Sequence, residues 1–90
     1  VFSAHAFAIY PLATQATGAD ARVAPARPAD VPQPLGDDLA AMARLVDAGT
    51  RVVFVANPNN PTGTWCTGAE LRAFLQSVPP DVVVVLDEAY

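Results

Sequence analysis

The 90-residue chain contains no lysine. Its five arginines (Arg22, Arg27, Arg44, Arg51 and Arg72) are scattered, and nine acidic residues bring the net charge to −4. The isoelectric point is near 4.5. Gripping a phosphate backbone takes clustered cationic side chains, so this balance argues against nucleic acid as a partner. A single cysteine, Cys66, leaves no disulfide framework and points to a reducing compartment. It reads as a free thiol near a loop. A single histidine, His5, is too thin a donor set for a specific metal site and reads as part of a solvent-exposed loop. No apolar run reaches the roughly 18 residues that a membrane span needs, and no signal peptide is visible.

Apolar side chains are plentiful. They make up 52% of the residues against 16% charged, and the mean hydropathy is +0.28. A free-standing domain of this size buries only about 60–65% of its unfolded surface and needs more polar cover than that. Two strand candidates, Arg51–Ala56 and Val82–Leu86, are almost wholly apolar, which predicts cover on both faces. The chain is therefore expected to be an interior stretch of a larger α/β domain, residues 1–90 forming part of it with no boundary inside. Val1 in place of an initiator Met agrees with that expectation.

The order reads β-α-β-α-β-α-β. Val1–Ser3 ends a strand. A helix begins near Ile9 or Tyr10, because Pro11 fits only the first turn, and Gly18 stops it at about Thr17. Ala19–Ala24 is a weak strand. Pro25, Pro28, Pro32 and Pro34 mark an extended surface connection. Asp37 is a candidate N-cap for a helix from Asp38 to Ala48, with Leu39, Met42, Leu45 and Val46 as its apolar stripe and Met42 in the core. Thr67 and Glu70 form a capping box for a helix from Gly68 to Ser77 that buries Leu71, Phe74 and Leu75. Pro79-Pro80 stops it before the last strand. Alternation of this kind builds a mostly parallel sheet.

Two segments carry possible chemistry. Asn57-Pro-Asn-Asn-Pro-Thr-Gly63 follows one buried strand, and Asp87-Glu-Ala-Tyr90 follows the other. Ligands of open α/β sheets bind outside the carboxyl ends of the strands, so Asn60, Asp87 and Tyr90 are predicted to converge there. Asn and Pro are common in turns, but an X-Pro bond can be cis and can aim one amide back over the sheet edge. Asp87 leaves a buried strand and needs a cationic partner, because an unpaired buried charge is expensive. With no metal companions, a protonated ring nitrogen of a cofactor suits it best. Glu88 should point to the opposite side and reads as structural. Tyr10 and Trp65 read as packing or rim residues.

These segments resemble the large domain of fold-type I, pyridoxal-phosphate-dependent aminotransferases, and most closely the histidinol-phosphate aminotransferases. The resemblance runs through Asn57–Thr64, Glu70-Leu71, Phe74-Leu75, Val78-Pro79 and Val83–Tyr90. Upstream it takes in Phe7–Tyr10, Thr17–Ala19 and Asp38-Leu39. It implies a cofactor site for pyridoxal 5′-phosphate. Asn60 and Tyr90 would then donate to the phenolic oxygen, Asp87 would pair with the ring nitrogen, and Phe7 would stack on the ring where many relatives have Tyr. The Asn60–Pro61 bond matches one that is cis in relatives.

The resemblance further implies a cytoplasmic, homodimeric enzyme of histidine biosynthesis acting on a small-molecule amino donor and a 2-oxo acid. The pair would be L-histidinol phosphate and 2-oxoglutarate. The family's Schiff-base lysine is absent, so the segment holds no catalytic residue of its own and is expected to be inactive alone. The alternatives are another class I/II aminotransferase, a threonine-phosphate-type decarboxylase, or a non-catalytic module of the same fold.

Overall fold

Val52–Ala56 (β3) and Val83–Asp87 (β4) are β-branched, apolar runs that pair in parallel, with Val52 opposite Val83 and Ala56 opposite Asp87. In this computed structural model, which describes residues 1–89, a second parallel pair joins Phe2–Ser3 (β1) to Val23–Ala24 (β2). Backbone bonds at Val1 link the two pairs. Its ammonium nitrogen donates to Val52 O at 2.9 Å, and Phe54 N donates to Val1 O at 2.9 Å. One residue bonding to both neighbours of its opposite number is the parallel pattern. The strands therefore lie in the order β2-β1-β3-β4 and end at one common edge: Ser3, Ala24, Ala56 and Asp87.

Side chains of β3 alternate between two faces, as a period of two requires. Val53 and Val55 point into a core with Leu39 and Met42 of helix α2 (Leu39–Leu45) and Phe74 of helix α3 (Gly68–Ser77). Phe54 and Ala56 point the other way, toward Phe2 and toward Tyr10 of helix α1 (Ile9–Ala16). β3 thus has helices on both faces, as expected from its composition. β4 does not: Val83 is 60% exposed, and Val85 and Leu86 are also open. Among the described residues its one strand neighbour is β3, and Val84 is the β4 side chain packed on the α2/α3 core.

The helix ends follow local chemistry, with corrections. α1 carries Pro11 in its first turn, and Gly18, at φ +75°, is the stop. α2 is capped by Asp38, whose carboxylate accepts the Ala41 N–H at 3.0 Å; the expected cap, Asp37, is buried instead. α2 also ends at Leu45 rather than Ala48. Asp47 closes a local turn there, accepting the Gly49 N–H at 2.8 Å, while its own N–H goes to Thr50 Oγ1 at 2.9 Å. Such side-chain bonds compete directly with helical ones. β2 keeps only Val23–Ala24 of the longer strand expected.

α3 matches the expectation at both ends. Thr67 Oγ1 accepts the Glu70 N–H at 3.1 Å, and Glu70 Oε1 accepts the Thr67 N–H at 3.2 Å. These bonds hold the Glu70 carboxyl below its ordinary range, so their stabilisation is lost as pH falls through that lowered value. Replacing Thr67 by Ala is expected to remove about 1 kcal/mol of stability, read by urea denaturation of the full-length protein. A loss below a few tenths would show that the box contributes little. On the apolar face Phe74 is buried and Leu71 half-buried. Leu75 is 49% exposed, against expectation, because one residue along a helix turns it about 100° away from Phe74.

Candidate active site at the carboxyl edge of the sheet

Three adjacent strands deliver three loops to one edge. The turn after β1 carries His5 and Phe7, the loop after β3 carries Asn57–Cys66, and β4 ends in Asp87. The backbone ties the last two together, since Asn57 N donates to Asp87 O at 2.9 Å.

The asparagines of the β3 loop do different work. Asn57 pins the base of the loop: its Oδ1 accepts the Cys66 N–H at 2.7 Å and its Nδ2 donates to Cys66 O at 3.2 Å. Asn59 pins the tip. Its N–H donates to Thr64 O at 2.7 Å and its carbonyl accepts the Gly63 N–H at 2.8 Å. Its Nδ2 donates to Thr62 Oγ1 at 2.8 Å and, across to the neighbouring loop, to His5 O at 2.9 Å. Thr62 Oγ1 in turn lies 2.7 Å from Thr64 Oγ1. Gly63, at φ +70°, takes the left-handed turn, and both Asn57–Pro58 and Asn60–Pro61 are cis. Asn60 sits half-buried within this braced loop. Its bond to Pro61 is cis as the resemblance implies; the cis bond at Pro58 was not foreseen.

The proline-rich connection supports the loop from outside. Gln33 Oε1 accepts the Trp65 N–H at 2.9 Å, and Arg27 lies 3.6 Å from Glu70. Gly36 packs so close to Thr64 that an added Cβ would meet Thr64 Oγ1 at 2.7 Å and Gln33 O at 2.9 Å. Gly36→Ala is therefore expected to displace the loop and destabilise the full-length protein by about 1–3 kcal/mol, as overpacking does. An unchanged urea midpoint would show that Thr64 moves aside freely.

Asp87 is half-buried. Its Oδ2 accepts the Tyr10 hydroxyl at 2.8 Å, and its Oδ1 accepts the Ala89 N–H at 3.2 Å. Tyr10 itself is buried, its ring stacked on Phe54 with centroids 4.8 Å apart and planes 9° from parallel. Burial first, then the bond to Asp87 and the charges of Asp87 and Asp37, push its hydroxyl well above the ordinary tyrosine range, so it remains a donor. Tyr10 is the polar partner that sequence reading treats as packing. The signal was present: a buried Tyr hydroxyl usually finds an acceptor.

Phe7 lies at the same edge, 46% exposed, its carbonyl accepting the Tyr10 N–H at 3.2 Å. Tyr90 lies outside the described residues. His5, Trp65 and Glu88 are exposed, and Cys66 is a buried free thiol pushed up to about 11, chiefly by burial. Asp37 is a second buried carboxyl, raised chiefly by burial. Its contribution to stability is greatest below the ordinary carboxylate range and is lost as pH rises through the raised value. Among the described residues, Asp37 Oδ1, Ser3 Oγ and Asn59 Oδ1 have no hydrogen-bond partner. Two open concavities of about 550 and 640 Å³ are lined by residues other than Phe7, Asn60 and Asp87.

The aminotransferase class I and II family matches residues 1–90. The chain belongs to this family. Among curated relatives of this aminotransferase chain, histidinol-phosphate aminotransferase 2 of Pseudomonas fluorescens (strain Pf0-1) is 61% identical over 90 residues, which are all of this chain and 23% of the relative. The protein of the same name from Pseudomonas aeruginosa is 59% identical, and the histidinol-phosphate aminotransferase of Stutzerimonas stutzeri is 54% identical, over the same shares. The chain thus spans about a quarter of the length of these relatives. A solved structure, tyrosine aminotransferase from Leishmania infantum, superposes with a TM-score of 0.77 at 24% identity, covering 97% of this chain and 23% of that one. At that identity the likeness establishes the α/β fold. Among the described residues, no helix is long and apolar enough to cross a membrane, and no group of three or more His, Cys, Asp and Glu side chains could hold a metal ion.

Proposed function

We propose that these residues form part of the cofactor-binding large domain of a pyridoxal-phosphate-dependent aminotransferase. The whole protein is read as a histidinol-phosphate transaminase of histidine biosynthesis, moving the amino group of L-histidinol phosphate to 2-oxoglutarate. The observation that carries the cofactor reading is the meeting of Asp87, the Asn60 loop and Phe7 at the carboxyl edge of adjacent parallel strands. The names of relatives 54–61% identical over the whole chain support the substrate.

The donor set fits the cofactor. A carboxylate has about four lone-pair positions, and among the described residues each Asp87 oxygen has one partner, so acceptor capacity remains for a protonated ring nitrogen. Asp87 would keep a proton on that nitrogen. Asn60 and Tyr90 would donate to the phenolic oxygen, and Phe7 would cover one ring face and exclude water. Bound there, the cofactor supplies an electron sink for the charge left when the substrate's α-proton departs. The lysine that the reaction needs would come from the remaining length of the protein, since this chain has none, and the phosphate cradle and the grip on the substrate are read as lying there too. The whole protein is read as a cytoplasmic homodimer, on the resemblance to its relatives.

The test is turnover by the full-length protein. L-Histidinol phosphate with 2-oxoglutarate should yield glutamate at a kcat/KM at least tenfold above that for aromatic amino acids. Preference for an aromatic donor would reassign the substrate, and carbon dioxide release from threonine phosphate would reassign the reaction. Cofactor binding with no turnover of any donor would leave a non-catalytic module.

A further inference from the structure

Tyr10 belongs to none of the roles assigned above, yet it makes the one side-chain bond to Asp87 among the described residues whose partner lies far off in sequence. The segment from Phe7 to Tyr10 is short and stiff. The Tyr10 N–H is tied to Phe7 O, Pro11 follows directly, and Thr14 Oγ1 donates to Tyr10 O at 2.8 Å one turn later. The ring lies flat on Phe54 of β3 and is buried beside Phe2 and Ala56. From that seat the hydroxyl crosses to the end of the next strand and meets Asp87 Oδ2 at 2.8 Å. Packing alone would be served equally by phenylalanine. The hydroxyl is the added element, and its acceptor is the carboxylate on which the cofactor reading depends.

We propose that Tyr10 is a positioning residue: its hydroxyl occupies Asp87 Oδ2 and holds the carboxylate in one orientation, leaving its remaining acceptor positions for the cofactor's ring nitrogen. This inference rests on the cofactor reading above. It also makes one segment responsible for two contacts, because the turn that presents Phe7 is the turn that seats Tyr10. A carboxylate without this bond would turn about its own side-chain torsions and meet the ring nitrogen in fewer of its orientations.

The experiment uses full-length protein, stripped of cofactor and then titrated with pyridoxal phosphate carrying ¹⁵N at the ring nitrogen. Tyr10→Phe keeps the ring on Phe54 and deletes the hydroxyl. It is expected to raise the cofactor Kd about tenfold, as loss of a hydrogen bond to a charged group would, and to move the ¹⁵N resonance toward that of neutral pyridine. Melting of the cofactor-free protein should stay within about 2 °C, since the packed ring is retained. Phe54→Leu keeps the hydroxyl but loosens its seat, and should raise Kd by a smaller factor, about threefold. It serves as the second variant should Tyr10→Phe fold poorly. Wild-type Kd and ¹⁵N position in Tyr10→Phe, or wild-type Kd in Phe54→Leu when that variant alone is measurable, would overturn the assignment and leave Tyr10 as packing. Asp87→Asn separates the two levels. If it leaves the ¹⁵N resonance at the wild-type position, or if the wild type binds no pyridoxal phosphate, the cofactor reading fails and this inference falls with it. If Asp87→Asn moves the resonance and Tyr10→Phe does not, only the role of Tyr10 is overturned.

Discussion

Asp87→Ala in the full-length protein is expected to lower kcat for amino transfer by about thirtyfold to a few thousandfold, with the KM for the amino donor changed by less than about threefold. Truncating one partner of a hydrogen-bonded charge pair costs about 2–5 kcal/mol, and each 1.4 kcal/mol is a factor of ten in rate. On the proposed cofactor reading the loss would fall on kcat, because Asp87 would keep a proton on the ring nitrogen, whereas the amino donor would be gripped by other parts of the full-length protein. Alanine also takes the acceptor from the buried Tyr10 hydroxyl, so a stability loss of about 1–3 kcal/mol should accompany it. Asp87→Asn keeps an oxygen acceptor of the same shape but no charge, and should reproduce the kinetic loss with less of the thermal one. Steady-state kinetics and melting curves of the two variants separate these effects. An Asp87→Ala enzyme within threefold of wild-type kcat would remove Asp87 from the site.

The second large effect concerns stability. Phe74→Ala in the full-length protein is expected to cost about 3–5 kcal/mol in urea denaturation. Phe74 is the buried anchor of α3, packed with Met42 of α2 and with Val53 and Val55 of β3. Its removal opens a cavity between two helices and the strand that leads into the Asn57–Gly63 loop. Phe74→Leu, which keeps most of the apolar volume, should lose under about 1.5 kcal/mol. A Phe74→Ala loss below 1 kcal/mol would mean that α2 and α3 close over the gap.

Much of this architecture was legible before any coordinates. The limits of α3 were, because a capping box at Thr67–Glu70 and the Pro79-Pro80 pair act within a few residues of the ends they define. The alternation of apolar strands and helices implied parallel pairing, and the β3/β4 register confirms it. The placement of Asp87 and the Asn-Pro loop at one edge followed from the same alternation. Where local signals competed, the reading failed. The α2 cap was expected at Asp37, and it is Asp38 that caps the helix. Burial of Asp37 against Ser3 and Ala56 decided the matter. Leu75 and Phe74 are both apolar neighbours on one helix, and the position of α2 decided which of them is covered.

The sequence by itself determined the element order, the capping box of α3, the stop of α1 at Gly18 and the two segments that bear chemistry, because each depends on residues a few positions apart or on a simple period. The tertiary structure alone decided that the Tyr10 hydroxyl meets Asp87 Oδ2 and that Asn59 braces the turn after β1. These are contacts between segments more than fifty residues apart. Their geometry is set by how the helices seat on the sheet, which no short window of sequence encodes.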